Sequence, residues 1–247
     1  MPASGGALSR GIQVLQLLDV LPFSVAAAEA RRMLDWLESG WHSSREHVDN
    51  PEAQLRLAAY LPYAEAADTL RDAALTGEAR RRGLARSLLL GCAARTGDPS
   101  LVVSVLAEVA ERTANEPDPV REAVLSSLGS VRPALLTPAC VLALERLASE
   151  GMAALDCSAA TREALTRLAC RALRHSASDA VASWGIGLIA ALVERSGPTG
   201  WPGPGALAPG LGLRRCDGAG GSAAVNPWRR RTRRCPHPRR RAGSSAS

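Results

Sequence analysis

Few residues of this chain have the spacing that metal or acid–base chemistry requires. His42 and His47 flank Glu46, but a separation of five residues matches neither the i,i+4 pair of a zinc-binding helix nor the H-E-x-x-H motif. His175 follows a helix predicted to end at Arg174, where a cation is stabilised by the negative end of the helix dipole. We therefore expect no metal site at these histidines.

The chain also lacks lysine and the sequence motifs of catalytic nucleophiles. All 30 residues counted as Lys or Arg are arginines, which excludes P-loop proteins, protein kinases and Schiff-base enzymes, because each needs a lysine. The chain has no G-x-S-x-G motif. Four cysteines in or beside predicted helices lack the C-x2-C spacing of a zinc site and are typical of buried side chains in a reducing, cytoplasmic compartment: Cys92, Cys140, Cys157 and Cys170. We expect no catalytic residue, no metal and no cofactor.

The composition predicts an all-α fold. The chain is 46% hydrophobic but only 3% aromatic, and its main apolar residues, Ala and Leu, favour helices over strands. Apolar residues also recur with the helical period, for example at Val102, Val105, Leu106 and Val109. The predicted helices cover residues 10–20, 23–39, 51–61, 63–75, 78–94, 99–114, 119–130, 138–150, 159–174 and 178–195.

Four of these helices begin with a proline that follows a polar residue. The polar side chain is expected to cap the helix, while proline at the first helical position loses no hydrogen bond. The four pairs are Asn50-Pro51, Asp98-Pro99, Asp118-Pro119 and Thr137-Pro138.

The helices form a repeat of about 40 residues, which is the period of HEAT and armadillo arrays. Residues 98–129 contain Asp118-Pro119-Val120-Arg121-Glu122-Ala123 and resemble the HEAT-repeat family, with its Asp-Pro-x-Val-Arg-x-x-Ala turn and second helix. The resemblance implies a right-handed α–α superhelix in which Asp118 and Arg121 bond within and between repeats. Arg82, Arg121 and Arg162 are separated by 39 and 41 residues, as one repeat each would require, whereas Arg56 breaks the spacing.

Three regions follow from this pattern. Residues 1–21 are expected to form an N-terminal helix or capping segment, residues 22–196 the HEAT-like repeats, and residues 197–247 a disordered tail rich in Gly, Pro and Arg. Two origins for the tail stay open, because a genuine arm and an out-of-frame or truncated end of a longer repeat protein would both have this composition.

The tail carries the positive charge of the chain. Residues 1–200 hold 20 Arg against 23 Asp and Glu, whereas residues 201–247 hold 10 Arg against Asp217 alone. A genuine basic arm would bind nucleic acid or another polyanion without sequence preference. The candidate contacts are Arg229, Arg230, Arg231, Arg233, Arg234, Arg239, Arg240 and Arg241.

The predicted function is a non-catalytic scaffold that binds a protein partner on the concave surface formed by the second helices. The chain has no His-Glu dipeptide, which the di-iron hydroxylases of this class repeat. It also has no apolar stretch approaching the roughly 18 residues of a membrane span, and Gln13, Gln16 and Asp19 interrupt the apolar run at residues 12–28, which disfavours a signal peptide. We expect a cytoplasmic protein with no membrane contact.

A HEAT-like DNA-binding protein or DNA alkylation-repair glycosylase is the alternative function. Such an enzyme cradles duplex DNA on a basic face and uses aromatic residues and a carboxylate near the lesion. The net acidity of residues 1–200 counts against it, because DNA binding needs a basic excess on one face. The residues that it could use are Arg80, Arg81, Arg82 and Arg86, with Trp36, Trp41, Tyr60, Tyr63 and Trp184.

Overall fold

The helical periodicity of the sequence is matched by the computed structural model, which describes residues 17–38 and 51–196. Most of the predicted helix at residues 10–20 and the whole tail lie outside these ranges. Within them, every regular element is helical, so the prediction of an all-α fold is confirmed. The α-helices are α1 (Phe23–Glu38), α2 (Pro51–Ala58), α3 (Tyr63–Leu75), α4 (Ala79–Thr96), α5 (Pro99–Thr113), α6 (Asp118–Leu128), α7 (Val141–Ala153), α8 (Ala159–His175) and α9 (Asp179–Ser196).

Most helices begin and end within three residues of their predicted positions. The largest shift at a helix start is in α7, because Pro138–Cys140 form a 3-10 turn and the α-helix begins only at Val141. Asp98 caps α5 as predicted, since its carboxylate accepts a hydrogen bond of 2.8 Å from the backbone N–H of Ser100. Asn50 lies outside the described residues.

The helices contact one another in a regular order. The even-numbered helices α2, α4, α6 and α8 each pack on the next, and we call them the even row. The odd row comprises α3, α5, α7 and α9. In it, α5 packs on α7 and α7 on α9, while Arg71 of α3 bonds Glu108 of α5 at 3.1 Å. Contacts between α3 and α4, α4 and α5, and α8 and α9 join the two rows.

The core lies between the rows and consists mainly of Leu, Val and Ala. Leu90 of α4, Leu106 of α5, Val124 of α6 and Leu165 of α8 are all fully buried. Burying one such side chain stabilises the fold by about 1.5–3 kcal/mol. The stripe predicted on residues 102–109 is buried at all four apolar positions, so the periodicity identified the core face of α5 correctly.

Two glycines allow neighbouring helices to approach closely. A Cβ atom at Gly83 would lie 3.1 Å from Cα of Val120 and 3.2 Å from Cβ of Ala123, so α4 and α6 touch at this point. A Cβ atom at Gly185 would lie 3.0 Å from the carbonyl oxygen of Ala169, so α9 and α8 touch in the same way. Close backbone approach of this kind requires a residue without a side chain.

Candidate functional site

Three arginines at the starts of even-row helices make the same local contact. Each one donates a hydrogen bond from Nη1 to the backbone carbonyl five residues before it, in the turn that leads into its helix. The pairs are Arg82 with Gly77 (2.6 Å), Arg121 with Glu116, and Arg162 with Cys157 (3.1 Å). The arginines predicted from their spacing of 39 and 41 residues therefore occupy equivalent positions in successive turns.

The first of these turns is linked to the next by Glu116. Its carboxylate accepts hydrogen bonds from Nη2 of Arg82 at 2.7 Å and from Nη2 of Arg86 at 2.6 Å. The Arg86 side chain is only 5% exposed, and its Nε and Nη1 are buried without an acceptor among the described residues. Glu116 therefore supplies the countercharge that allows Arg86 to be buried.

The same contacts determine the protonation state of Glu116. Partial burial raises the pKa of this carboxyl, but the hydrogen bonds and positive charges of Arg82 and Arg86 lower it by more. The net pKa lies below the ordinary value, so Glu116 is ionised near neutral pH.

The second link joins the turn before α6 to the turn before α8. Arg121 donates from Nη2 to Oδ1 of Asp156, and the backbone N–H of Asp118 donates to Oδ2 of Asp156 at 3.0 Å. The backbone hydrogen bond is the main cause of a lowered pKa at Asp156, and the charge of Arg121 lowers it further. In return, Oδ1 of Asp118 accepts hydrogen bonds from Oγ1 of Thr161 at 2.8 Å and from the N–H of Ser158 at 3.3 Å.

The prediction that Asp118 caps its own helix was wrong. The helix α6 already includes Asp118, and Pro117 occupies the position before it. The carboxylate instead reaches the start of α8, where Ser158 caps the helix by accepting from the N–H of Thr161 at 3.1 Å. Thr137 precedes the 3-10 turn and makes no side-chain cap there.

Glu116 and Asp156 were missed from the sequence, although their spacing was informative. Glu116 follows its arginine by 34 residues and Asp156 follows Arg121 by 35. An acid in the next turn at a near-constant distance from each arginine is the signal that could have identified both. We call these two links, with the carbonyl contacts of the three arginines, the turn network. Arg56, which does not fit the spacing, is exposed on α2.

Comparison of the chain with protein-family models, with curated proteins and with solved structures finds no match.

Several side chains that were considered for chemistry lie outside the described residues, and the four cysteines are partly or fully buried. His42, Glu46, His47 and the eight tail arginines are outside. Cys92 and Cys140 are buried and Cys157 and Cys170 half-buried, and burial raises the pKa of all four thiols. No group of three potential metal ligands occurs in the described parts of the chain. Among the described helices, none combines the length and hydropathy needed to span a membrane.

The aromatic residues considered for DNA binding have other roles here. The hydroxyl of Tyr60 donates to Asp19 at 2.5 Å, and that of Tyr63 accepts from Arg71 at 3.0 Å. Trp184 is buried on α9, while Trp36 on α1 is half-exposed. Trp41 is outside the described residues. The ring of Tyr60 also contacts α4, because Cζ of Arg95 lies 5.1 Å from the ring centroid.

The even row keeps one side partly exposed. Neighbouring helices are joined along it by polar contacts, with Nε of Arg80 lying 3.3 Å from Oε1 of Glu52 and Nη2 of Arg167 lying 3.4 Å from Oγ of Ser126. We call this side the open face, and it comprises Arg80, Leu84, Ser87 and Leu88 of α4, Glu122, Ala123, Ser126 and Ser127 of α6, and Glu163, Arg167, Cys170 and Arg171 of α8.

Proposed function

We propose that this protein is a non-catalytic scaffold of HEAT-like helix pairs, arranged as a right-handed α–α solenoid, that binds a protein partner through its open face. The turn network carries the proposal, because it repeats one set of contacts at intervals of 39 and 41 residues. Repeat arrays are stabilised by such contacts between successive units and use the side chains of equivalent helices as one continuous surface.

The open face has the composition of a surface for a protein partner. Leu84 and Leu88 are half-buried on α4, and the small residues Ser87, Ala123 and Ser127 are also partly exposed. Arginines lie next to these small and apolar positions, and Arg is enriched in protein interfaces. The turn network holds the underlying helices, so this surface is formed before the partner binds.

The experiment that tests the proposal compares two serines in matched settings. Ser127 lies on the open face of α6, and its hydroxyl donates to the carbonyl of Val124 at 2.8 Å. Ser149 lies on α7 in the odd row, and its hydroxyl donates to the carbonyl of Arg146 at 3.0 Å. Each serine is replaced in turn by a photo-crosslinking phenylalanine analogue, and crosslinked products from cells are identified by mass spectrometry.

We expect the probe at position 127, but not the probe at position 149, to crosslink one defined protein. That protein, once purified, should bind the full chain, and Ser127→Arg should weaken binding at least tenfold while Ser149→Arg leaves it unchanged. Equal crosslinking from both positions would refute the proposal. Release of a modified base from duplex DNA by the purified chain would instead support the glycosylase alternative.

A further inference from the structure

One side of α9 is both apolar and exposed. Residues 180–193 contain no charged side chain, whereas the longest uncharged run in the other described helices is nine residues, at the start of α5. Leu188 and Leu192 of α9 are buried in the core. On the other side of the helix, Ile186 is 58% exposed and Val193 is 38% exposed. We call this exposed stripe the end face, and it comprises Ala180, Ser183, Ile186, Ala190 and Val193.

An exposed apolar helix face of this kind is unfavourable in water. The terminal units of repeat proteins normally present a polar outer face, and a helix that is apolar on all sides is normally buried. Ser183 is the only polar side chain of the end face. We therefore expect another segment of polypeptide to cover it.

A second copy of the chain is a poor cover for the end face. Asp179 and Glu194 are exposed at the two ends of the stripe, seven residues before Ile186 and eight residues after it. A two-fold axis at the middle of the stripe would place Asp179 against the partner's Glu194 in an antiparallel pair, or each acid against itself in a parallel pair. Arg195 does not offset this repulsion, because it follows Ile186 by about two and a half helical turns and lies on the opposite side of α9. Such juxtaposition of like charges disfavours a pair of copies.

We propose that residues 201–211 of the same chain cover the end face of α9. The segment reads Trp-Pro-Gly-Pro-Gly-Ala-Leu-Ala-Pro-Gly-Leu and has no charged residue, so it can lie between Asp179 and Glu194 without opposing either. Its large apolar side chains are those of Trp201, Leu207 and Leu211. The inference is independent of the proposed function, because it concerns α9 and not the open face.

The segment is long enough to reach the face. Ile186 lies ten residues before Ser196, which corresponds to about 15 Å along the helix. The eleven residues from Gly197 to Leu207 span about 34 Å as an extended polyproline-type chain. This length allows the chain to reverse direction after α9 and return to Ile186, with Gly197 and Gly200 providing the conformational freedom for the reversal. Direct connection to α9 also gives the segment a high effective concentration at the face.

Proline suits this segment to cover a helix without forming one. The prolines at positions 198, 202, 204 and 209 lack a backbone N–H and favour an extended chain. Extended proline-rich segments bind apolar grooves at a low cost in conformational entropy, because their shape is already restricted before binding. These properties distinguish residues 201–211 from the arginine-rich part of the tail.

The test replaces Ile186 by a photo-crosslinking phenylalanine analogue in the purified full chain. An equal mixture of isotope-labelled and unlabelled chain is irradiated, and the crosslinked peptides are identified by mass spectrometry. Crosslinks that join a labelled to an unlabelled peptide then reveal contacts between copies. Leu142 on α7 is the control position, because its apolar side chain is 78% exposed but lies on a different helix.

We expect the probe at position 186 to crosslink residues 201–211 of the same chain, and the probe at position 142 not to do so. Leu207→Asp with Leu211→Asp should lower the yield of that crosslink about tenfold, because the segment loses its buried leucine contacts. Ala223→Asp with Val225→Asp adds the same two charges to the tail beyond the segment and should leave the yield unchanged.

Three results would overturn the inference. The first is a crosslink from position 186 that joins labelled and unlabelled copies, which would show that a second copy covers α9. The second is the absence of a crosslink to residues 201–211, or equal yields for the two double variants. The third is a crosslink in cells from position 186 to another protein, with none to residues 201–211. Each of these results leaves the crosslinking from position 127 unaffected, so the proposed scaffold function is tested separately.

Discussion

The close contact between α4 and α6 can be tested by placing a methyl group at two glycines of the same helix. Gly83 lies where α4 meets α6, and a Cβ atom there would lie 3.1 Å from Cα of Val120, 3.2 Å from Cβ of Ala123 and 3.3 Å from the carbonyl oxygen of Pro119. Gly91 is two turns further along α4, and a Cβ atom there would meet nothing within 4 Å. Gly83→Ala and Gly91→Ala are thus chemically identical changes in different packing.

The difference between the two variants isolates the packing cost. Replacing Gly by Ala within a helix stabilises the protein by about 0.5–1 kcal/mol, and this gain is common to both variants. At Gly83, two of the three crowded atoms belong to the backbone of α6, so the whole helix has to move away. Such overpacking costs about 1–3 kcal/mol. We therefore expect Gly91→Ala to stabilise the protein and Gly83→Ala to be less stable than Gly91→Ala by about 1–3 kcal/mol.

Urea unfolding followed by circular dichroism measures this difference. The two variants should share one m value, because neither changes the surface exposed on unfolding. In thermal unfolding, the expected difference is about 2–12 °C, from 2–4 °C per kcal/mol for a domain of this size. Equal unfolding midpoints for Gly83→Ala and Gly91→Ala would refute the packing of α4 against α6.

The remaining predictions concern the turn network. Glu116→Gln should lower the free energy of unfolding at pH 7 by about 2 kcal/mol, because Arg86 loses its charged acceptor. The wild-type protein should also lose stability as the pH falls through about 4.3, the ordinary pKa of Glu. Because the pKa of Glu116 is lowered in the folded protein, the unfolded state binds more protons than the folded state as the pH falls. The stabilisation from Glu116 is complete above the ordinary pKa and is lost as the pH falls through the lowered pKa of the folded state. Urea midpoints measured between pH 3 and pH 7 should therefore fall less steeply for Glu116→Gln, and parallel curves would contradict this reasoning. Arg121→Gln should reduce the urea midpoint several times more than Arg162→Gln, because Arg121 is buried and reaches Asp156, whereas Arg162 is exposed and bonds the local Cys157 carbonyl. Similar midpoints for these two variants would show that the link to Asp156 does not stabilise the array.

The helices could be predicted because their signals are local. The boundaries of α3 agree with the predicted residues 63–75 at both ends. The cap at Asp98 was also predictable, since its carboxylate needs only the N–H group two residues later. Apolar periodicity is local in the same sense, because one helix face can be identified without knowing which helix it packs on.

The turn network could be predicted only in part. The spacing of Arg82, Arg121 and Arg162 identified three equivalent positions, and their carbonyl acceptors lie five residues away. Glu116 and Asp156 were missed because an acid in a loop is usually solvated, and nothing near them in the sequence indicates a partner 34 or 35 residues away.

The amino-acid sequence by itself determined which segments are helical, which face of each helix is apolar and where the repeated arginines stand, because those properties depend on neighbours within a turn or two. The tertiary structure decided the rest. The sequence around Asp118 favours a cap of its own helix, but the packing of α8 places Thr161 and Ser158 within hydrogen-bond distance of its carboxylate. Glu116 likewise reaches Arg82 and Arg86 only through the packing of α4 beside α6, since these residues are 34 and 30 positions apart in the chain.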